Sequence, residues 1–174
     1  MEFKLFQDEI DDLVELLTKN QWEFHGKQII KEESVRENYQ KGYYQNDRET
    51  YWIIDNGTRI GIIIINDISD SIPNFDMRFD QNDRGKGYGT KTIIWLKDYL
   101  FGDKNKIRIE GYTRFDNFGM RKCFTKAGFV KEGYLRSAWE NEDGTASDCV
   151  VYGAIRSDWE SGLTTPIKIN DVPY

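Results

Sequence analysis

The stretch Asp83-Arg84-Gly85-Lys86-Gly87-Tyr88-Gly89-Thr90 carries the densest candidate chemistry in this chain. Three glycines at alternate positions let the backbone take positive φ and approach a ligand closely. Where a helix begins, its first amides are unpaired and its dipole adds partial positive charge. Arg84 and Lys86 would add full charges. Together these groups make a site for a phosphate or pyrophosphate. The pattern is not a P-loop, because no Gly-Lys-Ser or Gly-Lys-Thr occurs. Nor is it a dinucleotide fingerprint, because Thr90 stands where the third glycine belongs. His25 is the only histidine, and Cys123 and Cys149 are the only cysteines. A Ser-His-Asp site or a His-rich metal site would rest on His25 alone, and the cysteine spacing fits no zinc motif, so no metal is expected. Two reduced thiols suit a cytoplasmic protein.

The elements that must position this turn follow from periodicity. Residues 2–6 predict a short strand. Over 8–19, Ile10, Leu13, Val14 and Leu17 recur at helical spacing behind an acidic first turn. Residues 21–30 hold Trp22, Phe24 and His25 without a period and predict a loop, and 32–41 a second helix. The segments 50–55 and 58–68 flank Asn56-Gly57, a two-residue hairpin turn. Over 74–80, Phe75, Met77 and Phe79 alternate with Asn74, Asp76 and Arg78, which predicts a strand with two distinct faces. A helix is expected over 87–101, a strand over 106–113 and a helix over 117–127 closed by Gly128. A last strand pair, 129–139 and 149–155, spans a polar turn at 141–144. A helix joins strands 74–80 and 106–113, so those two can run parallel. The expectation is a mixed α/β fold with helices on the faces of one sheet.

Composition narrows the function. The chain has 174 residues, which predicts one domain over 1–160 and a peripheral tail over 161–174. Its net charge of −6 argues against nucleic-acid binding through a basic face and favours small cationic partners. The most apolar run, 60–65, is far short of the ~18 residues of a membrane span. Residues 1–5 do not look like a signal peptide.

Arg84-Gly85-Lys86-Gly87-Tyr88-Gly89 resembles the [QR]-x-x-G-x-[GA] acyl-CoA pyrophosphate loop of the GNAT superfamily of N-acetyltransferases. A second block agrees: Asn117, the helix after it and Lys126-Ala127-Gly128-Phe129 fall at that superfamily's spacing. Glu132-Gly133 and Arg136 are similar to the RimJ/RimL-type branch. The resemblance spans about residues 5–159. It implies a mostly antiparallel sheet of six or seven strands, splayed between the fourth and fifth, with acetyl-CoA as co-substrate lying in the gap. Backbone near Arg78 and Phe79, the turn from Arg84 through Gly85, Lys86, Gly87, Tyr88 and Gly89 to Thr90, and the Asn117 side chain would hold it. Lys122 matches a position that is often basic in this branch.

The implied reaction is direct acetyl transfer to a primary amine, whether a small amine, an antibiotic or a protein N-terminus. Such an amine titrates near ~10.4, so only about one in a thousand is neutral at pH 7 and a base is required. Glu110 and Asp76 are the candidate bases, one on each strand beside the gap. Two positions depart from the superfamily. Phe124 stands where many relatives carry a tyrosine acid, and Met120 where some carry a serine. These departures favour a rival reading, a non-catalytic acyl-CoA-binding or sensing domain. Trp22, Phe24, His25 and Trp139 would wall the acceptor pocket, an aromatic box suited to an amine. A homodimer is compatible with the sequence; no nucleic acid or membrane partner is expected.

Overall fold

The computed structural model describes residues 1–168. One seven-stranded sheet organises them. In chain order its strands are β1 (Glu2–Leu5), β2 (Arg48–Asp55), β3 (Thr58–Asn66), β4 (Asn74–Phe79), β5 (Arg108–Arg114), β6 (Val130–Glu140) and β7 (Ala146–Ile155). Their spatial order is β1-β2-β3-β4-β5-β7-β6. Every pairing is antiparallel except β4 with β5. Five helices flank it: α1 (Ile10–Thr18), α2 (Glu32–Gln40), α3 (Tyr88–Lys97), α4 (Phe118–Lys126) and α5 (Arg156–Ser161).

The isoleucine run of β3 explains why helices lie on both faces. Side chains alternate along a strand. Ile63 and Ile65 enter one core, with Ile93 and Leu96 of α3 and Phe124 of α4. Ile62 and Ile64 enter the other, with Leu13, Val14 and Leu17 of α1 and Val35 of α2. All four isoleucines are buried, each worth roughly 1.5–3 kcal/mol of burial. The turn between β2 and β3 is the expected one. Asn56 and Gly57 both hold positive φ, 48° and 77°, as a type I′ turn requires.

β4 and β5 touch only where they begin. Asn74 is in register with Glu110, and the Glu110 N–H donates to the Pro73 carbonyl at 3.0 Å. No further register pair joins them. Beyond Asn74 the two strands diverge, while β5 stays paired with β7 from Arg108 to Arg114. This is the splay expected between the fourth and fifth strands.

Several expectations need correction. The helix expected over 87–101 ends at Lys97, and the chain continues as a π-helical segment over Asp98–Asp103. Leu100 is buried there all the same, and Lys104 donates back to the Tyr99 carbonyl at 3.0 Å. β6 is not regular. Its register with β7 shifts between Leu135 and Trp139, where Ser137 takes φ 50° and its N–H donates to Asp148. The sequence pattern predicts no element after β7. α5 follows directly, and its buried Asp158 accepts from the N–H and hydroxyl of Thr165 at 3.0 and 2.9 Å. The first part of the expected tail over 161–174 thus folds back on α5, and residues 169–174 lie outside the described residues.

Candidate functional site

The glycine-rich turn lies between β4 and α3. Gly85 and Gly87 hold φ of 77° and 85°, and a Cβ added at either would meet nothing within 4 Å. Backbone conformation therefore demands glycine there, while the space beside it is open. Gly89 differs: a Cβ there would meet Cys123 Sγ at 2.9 Å, so its role is the close packing of α3 on α4. The Lys91 N–H donates to the Gly87 carbonyl at 3.4 Å. The amides ahead of it belong to the first turn, which a helix cannot satisfy internally. An anion fits this cradle.

The two cations of the turn are partly committed. Arg84 donates to the carbonyls of Phe79 and Gln21, at 3.0 and 2.9 Å, and lies over the Trp22 ring. Lys86 pairs with Asp83 at 2.9 Å on the surface. Tyr88 donates to Asp55 at 2.8 Å, tying the start of α3 to the β2–β3 hairpin. Thr90 is half-buried in the first turn of α3, and Lys122 is exposed on α4.

Asn117 caps α4. Its Oδ1 accepts from the Met120 N–H at 3.0 Å, which orients the amide and leaves the Nδ2 donors for a ligand. Phe124 is buried and stacks on Tyr152. Its ring occupies the space a side chain at residue 111 would need, which explains Gly111 on β5. Phe124 and Met120 carry no proton to give.

Asp76 and Arg78 project from the face of β4 opposite Phe75, Met77 and Phe79, which pack on the α3 and α4 side. Asp76 Oδ1 lies 3.0 Å from His25 Nε2, and its Oδ2 accepts from Arg78 Nε at 2.9 Å. Burial would raise the Asp76 carboxyl. The Arg78 charge and the His25 hydrogen bond outweigh it and hold the group well below the usual carboxylate range. His25 Nδ1 and Arg78 Nη1 are both buried without a hydrogen-bond partner among the described residues.

Glu110 sits where the strands part. It accepts from Arg108 Nε at 3.0 Å and from the Tyr112 hydroxyl. The Tyr112 hydrogen bond holds its carboxyl below the ordinary value, with help from Arg108 and against partial burial. Tyr112 is correspondingly pushed up to about 12. Arg108 also pairs with Glu132 of β6.

The loop over 21–30 spans this split. On the β4 side, His25 meets Asp76. On the β5 side, Arg114 donates to the Glu23 carbonyl at 3.3 Å and lies over the Phe24 ring. At the far end, the Gln28 N–H donates to Glu142 in the β6–β7 turn at 3.2 Å. Trp22 anchors it from below: it is buried, and its indole donates to the Leu17 carbonyl at 2.9 Å. The structure thus gathers Trp22, His25, Asp76, Arg78 and Arg84 on the β4 side, and sets Phe24 against β5. Trp139 stands apart, half-buried on β6 opposite Ser147. Sequence reasoning missed Tyr112 as the hydrogen-bond partner of Glu110, although its i+2 position on the same strand face is a readable signal. It also missed Arg114 and Arg78 as clamps of the loop.

The fold and the split sheet are those of an N-acetyltransferase. The family model for the acetyltransferase (GNAT) domain matches residues 3–130, and the chain belongs to that family. Enzymes of this family transfer an acetyl group from acetyl-CoA to an amine. Among solved structures, a chimera of the spermidine N-acetyltransferase SpeG from Vibrio cholerae and hSSAT is similar at 18% identity, covering 92% of this chain and 99% of that one, with a TM-score of 0.78. A protein described as a probable acetyltransferase is similar at 20% identity, covering 90% and 93%, with a TM-score of 0.76. A dodecameric spermidine N-acetyltransferase from Vibrio cholerae is similar at 17% identity, covering 91% and 95%, with a TM-score of 0.74. At such identities the likeness establishes the fold. No curated relative matches the chain at significant similarity. Among the described residues no acidic, His or Cys cluster suits a metal ion, and no helix is long and apolar enough to cross a membrane.

Proposed function

We propose that this chain acetylates a primary amine directly from acetyl-CoA bound between β4 and β5 and over the glycine-rich turn. One observation carries this reading: the unpaired edge of β4 runs straight into a turn whose two left-handed glycines face open space. An extended acyl carrier can hydrogen-bond the strand edge as a further strand would, and its pyrophosphate can take the free amides. When bound, acetyl-CoA supplies the acetyl thioester and a thiol leaving group. Asn117 orients the carrier from the α4 side.

The proton of the acceptor ammonium is the chain's own task. Glu110 takes it, directly or through water. The carboxylate is ionised at neutral pH and stands at the point where the sheet opens. Arg108 and Tyr112 fix its direction. Both carboxylates have both oxygens engaged. Asp76 is the weaker candidate, since its partners His25 and Arg78 are half-buried while the Tyr112 that meets Glu110 is exposed. With Phe124 and Met120 at the superfamily's acid positions, the thiol leaves without a side-chain donor there. A thiol titrates near ~8.5, so departure is feasible.

The acceptor is a small amine, an antibiotic or a protein N-terminus, with His25 and Phe24 in the loop bordering its site. Membership in the RimJ/RimL-type branch, a cytoplasmic location and homodimerisation belong to the same proposal. The exposed Tyr134 and Leu135 on the edge strand β6 support pairing with a second copy. Calorimetry with acetyl-CoA, followed by thiol release over a panel of amines, tests the proposal. Acceptor-dependent release is expected. Tight binding with no release for any amine would instead make the chain an acyl-CoA sensor.

A further inference from the structure

A cavity of about 180 Å³ lies against β4 on the face from which Asp76 and Arg78 project. At ~30 Å³ per water it has room for about six waters, or one small organic molecule. Its floor is apolar, with Ile62 and Ile64 of β3 and Val35 of α2. Three charged residues line it: Lys27, Asp76 and Arg78. The only carboxylate among them is already used twice. Asp76 Oδ1 faces His25, and its Oδ2 accepts from Arg78. Ser34, Asn38, Tyr43 and Tyr44 also line it and can both donate and accept, so the uncommitted charged groups are the two cations. Arg78 Nη1 is buried and has no partner among the described residues. Lys27 is exposed at the rim and pairs with no carboxylate in that lining.

A buried donor without an acceptor is destabilising, so Arg78 Nη1 favours a ligand that accepts from it. A second ammonium group would add a third positive charge to a lining whose one carboxylate is already engaged and which offers only neutral acceptors. An oxygen anion would satisfy both Arg78 and Lys27. We infer that this cavity holds the far end of the acceptor, and that this end carries a carboxylate. The substrate class is thus a short zwitterionic amine, such as an amino acid with its amine at the opposite end of an aliphatic chain. The Ile62, Ile64 and Val35 surface accommodates that chain. This inference rests on the acetyl-transfer reading for its chemistry, while the cavity's preference can be measured apart from it.

γ-Aminobutyrate, putrescine and butylamine share an ammonium on three methylenes and differ only at the fourth carbon: carboxylate, aminomethyl (as its ammonium) or methyl. Each is titrated into the full-length protein with coenzyme A present, and each is assayed for thiol release from acetyl-CoA. γ-Aminobutyrate is expected to bind about tenfold or more tightly than putrescine, the worth of one hydrogen bond to a charged group. Lys27→Met is expected to erase most of that preference while leaving butylamine binding unchanged. Equal or tighter binding of putrescine overturns the inference, as does a preference that Lys27→Met and Arg78→Gln both leave intact. Absence of binding by all three also overturns it. If γ-aminobutyrate binds as expected but releases no thiol, the cavity assignment stands and the acetyl-transfer reading falls.

Discussion

β4 and β5 leave one junction, at Asn74 and Glu110, and each carries a carboxylate on the same face of the sheet. The two carboxylates end in different states. Asp76 is closed in by the loop over 21–30, with an imidazole on one oxygen and a guanidinium on the other. Glu110 shares Arg108 with Glu132 and takes its remaining hydrogen bond from Tyr112, which is 43% exposed. The first arrangement holds a loop in place. The second leaves a carboxylate whose phenol partner can be displaced by an incoming ligand. Carboxylates on neighbouring strands thus differ in their partners, and only the one met by an exposed phenol is proposed for proton transfer.

Three substitutions would break or sharpen that contrast. Glu110→Gln should have the largest effect. Removing a general base costs about a hundredfold to ten-thousandfold in turnover, with acetyl-CoA affinity from calorimetry unchanged. Normal turnover in this variant would remove Glu110 from the chemistry.

Asp76→Ala should act on stability first. It leaves His25 and Arg78 without their carboxylate, at about 1–3 kcal/mol, read as a lower urea midpoint at neutral pH. The sign with pH follows from the lowered carboxyl. Its contribution is complete above the unfolded value near ~4 and is lost as pH falls through the lower folded value. The gap between wild type and variant should therefore hold from neutral pH down to about pH 4 and shrink only below it. A gap that closes already at pH 6 would contradict this assignment.

Tyr112→Phe should be the mildest. Without the phenol hydrogen bond, Glu110 rises toward its ordinary value. The acid limb of kcat/KM should then move to higher pH, while the plateau changes by no more than a few-fold. A limb that stays in place would show that another group titrates.

The sequence made the order of elements through β7 and the β2–β3 turn readable, because each rests on local pattern; the opening between β4 and β5 came from the resemblance to the acetyltransferase superfamily. Asn-Gly sets the turn. Phe75, Met77 and Phe79 alternate with Asn74, Asp76 and Arg78 and so separate the two faces of β4. The glycine turn was legible for the same reason. What could not be read depends on partners far away in sequence. His25 meets Asp76 across 51 positions, and Arg84 reaches Gln21 across 63. Arg84 looked like a free phosphate ligand because its type and position suit one, yet two carbonyls and the Trp22 ring occupy it. The π-helical segment over 98–103 keeps Leu100 buried, so the apolar stripe that suggests a plain helix does not distinguish the two. α5 was hidden by its brevity: six residues hold too few turns for a period.

The commitments of Arg84 and Lys86 bear on how a polyanionic carrier would first reach the glycine turn. Lys86 is paired with Asp83, Arg84 meets only neutral carbonyls and keeps its charge, and the chain as a whole carries −6. Little long-range attraction remains to guide such a ligand in. Backbone amides act over a few ångströms only. Encounter is therefore undirected, and capture depends on how often random collisions present the pyrophosphate to the turn. Added salt has almost no attraction to screen; it relieves the repulsion between two anions, so association should quicken slightly as ionic strength rises.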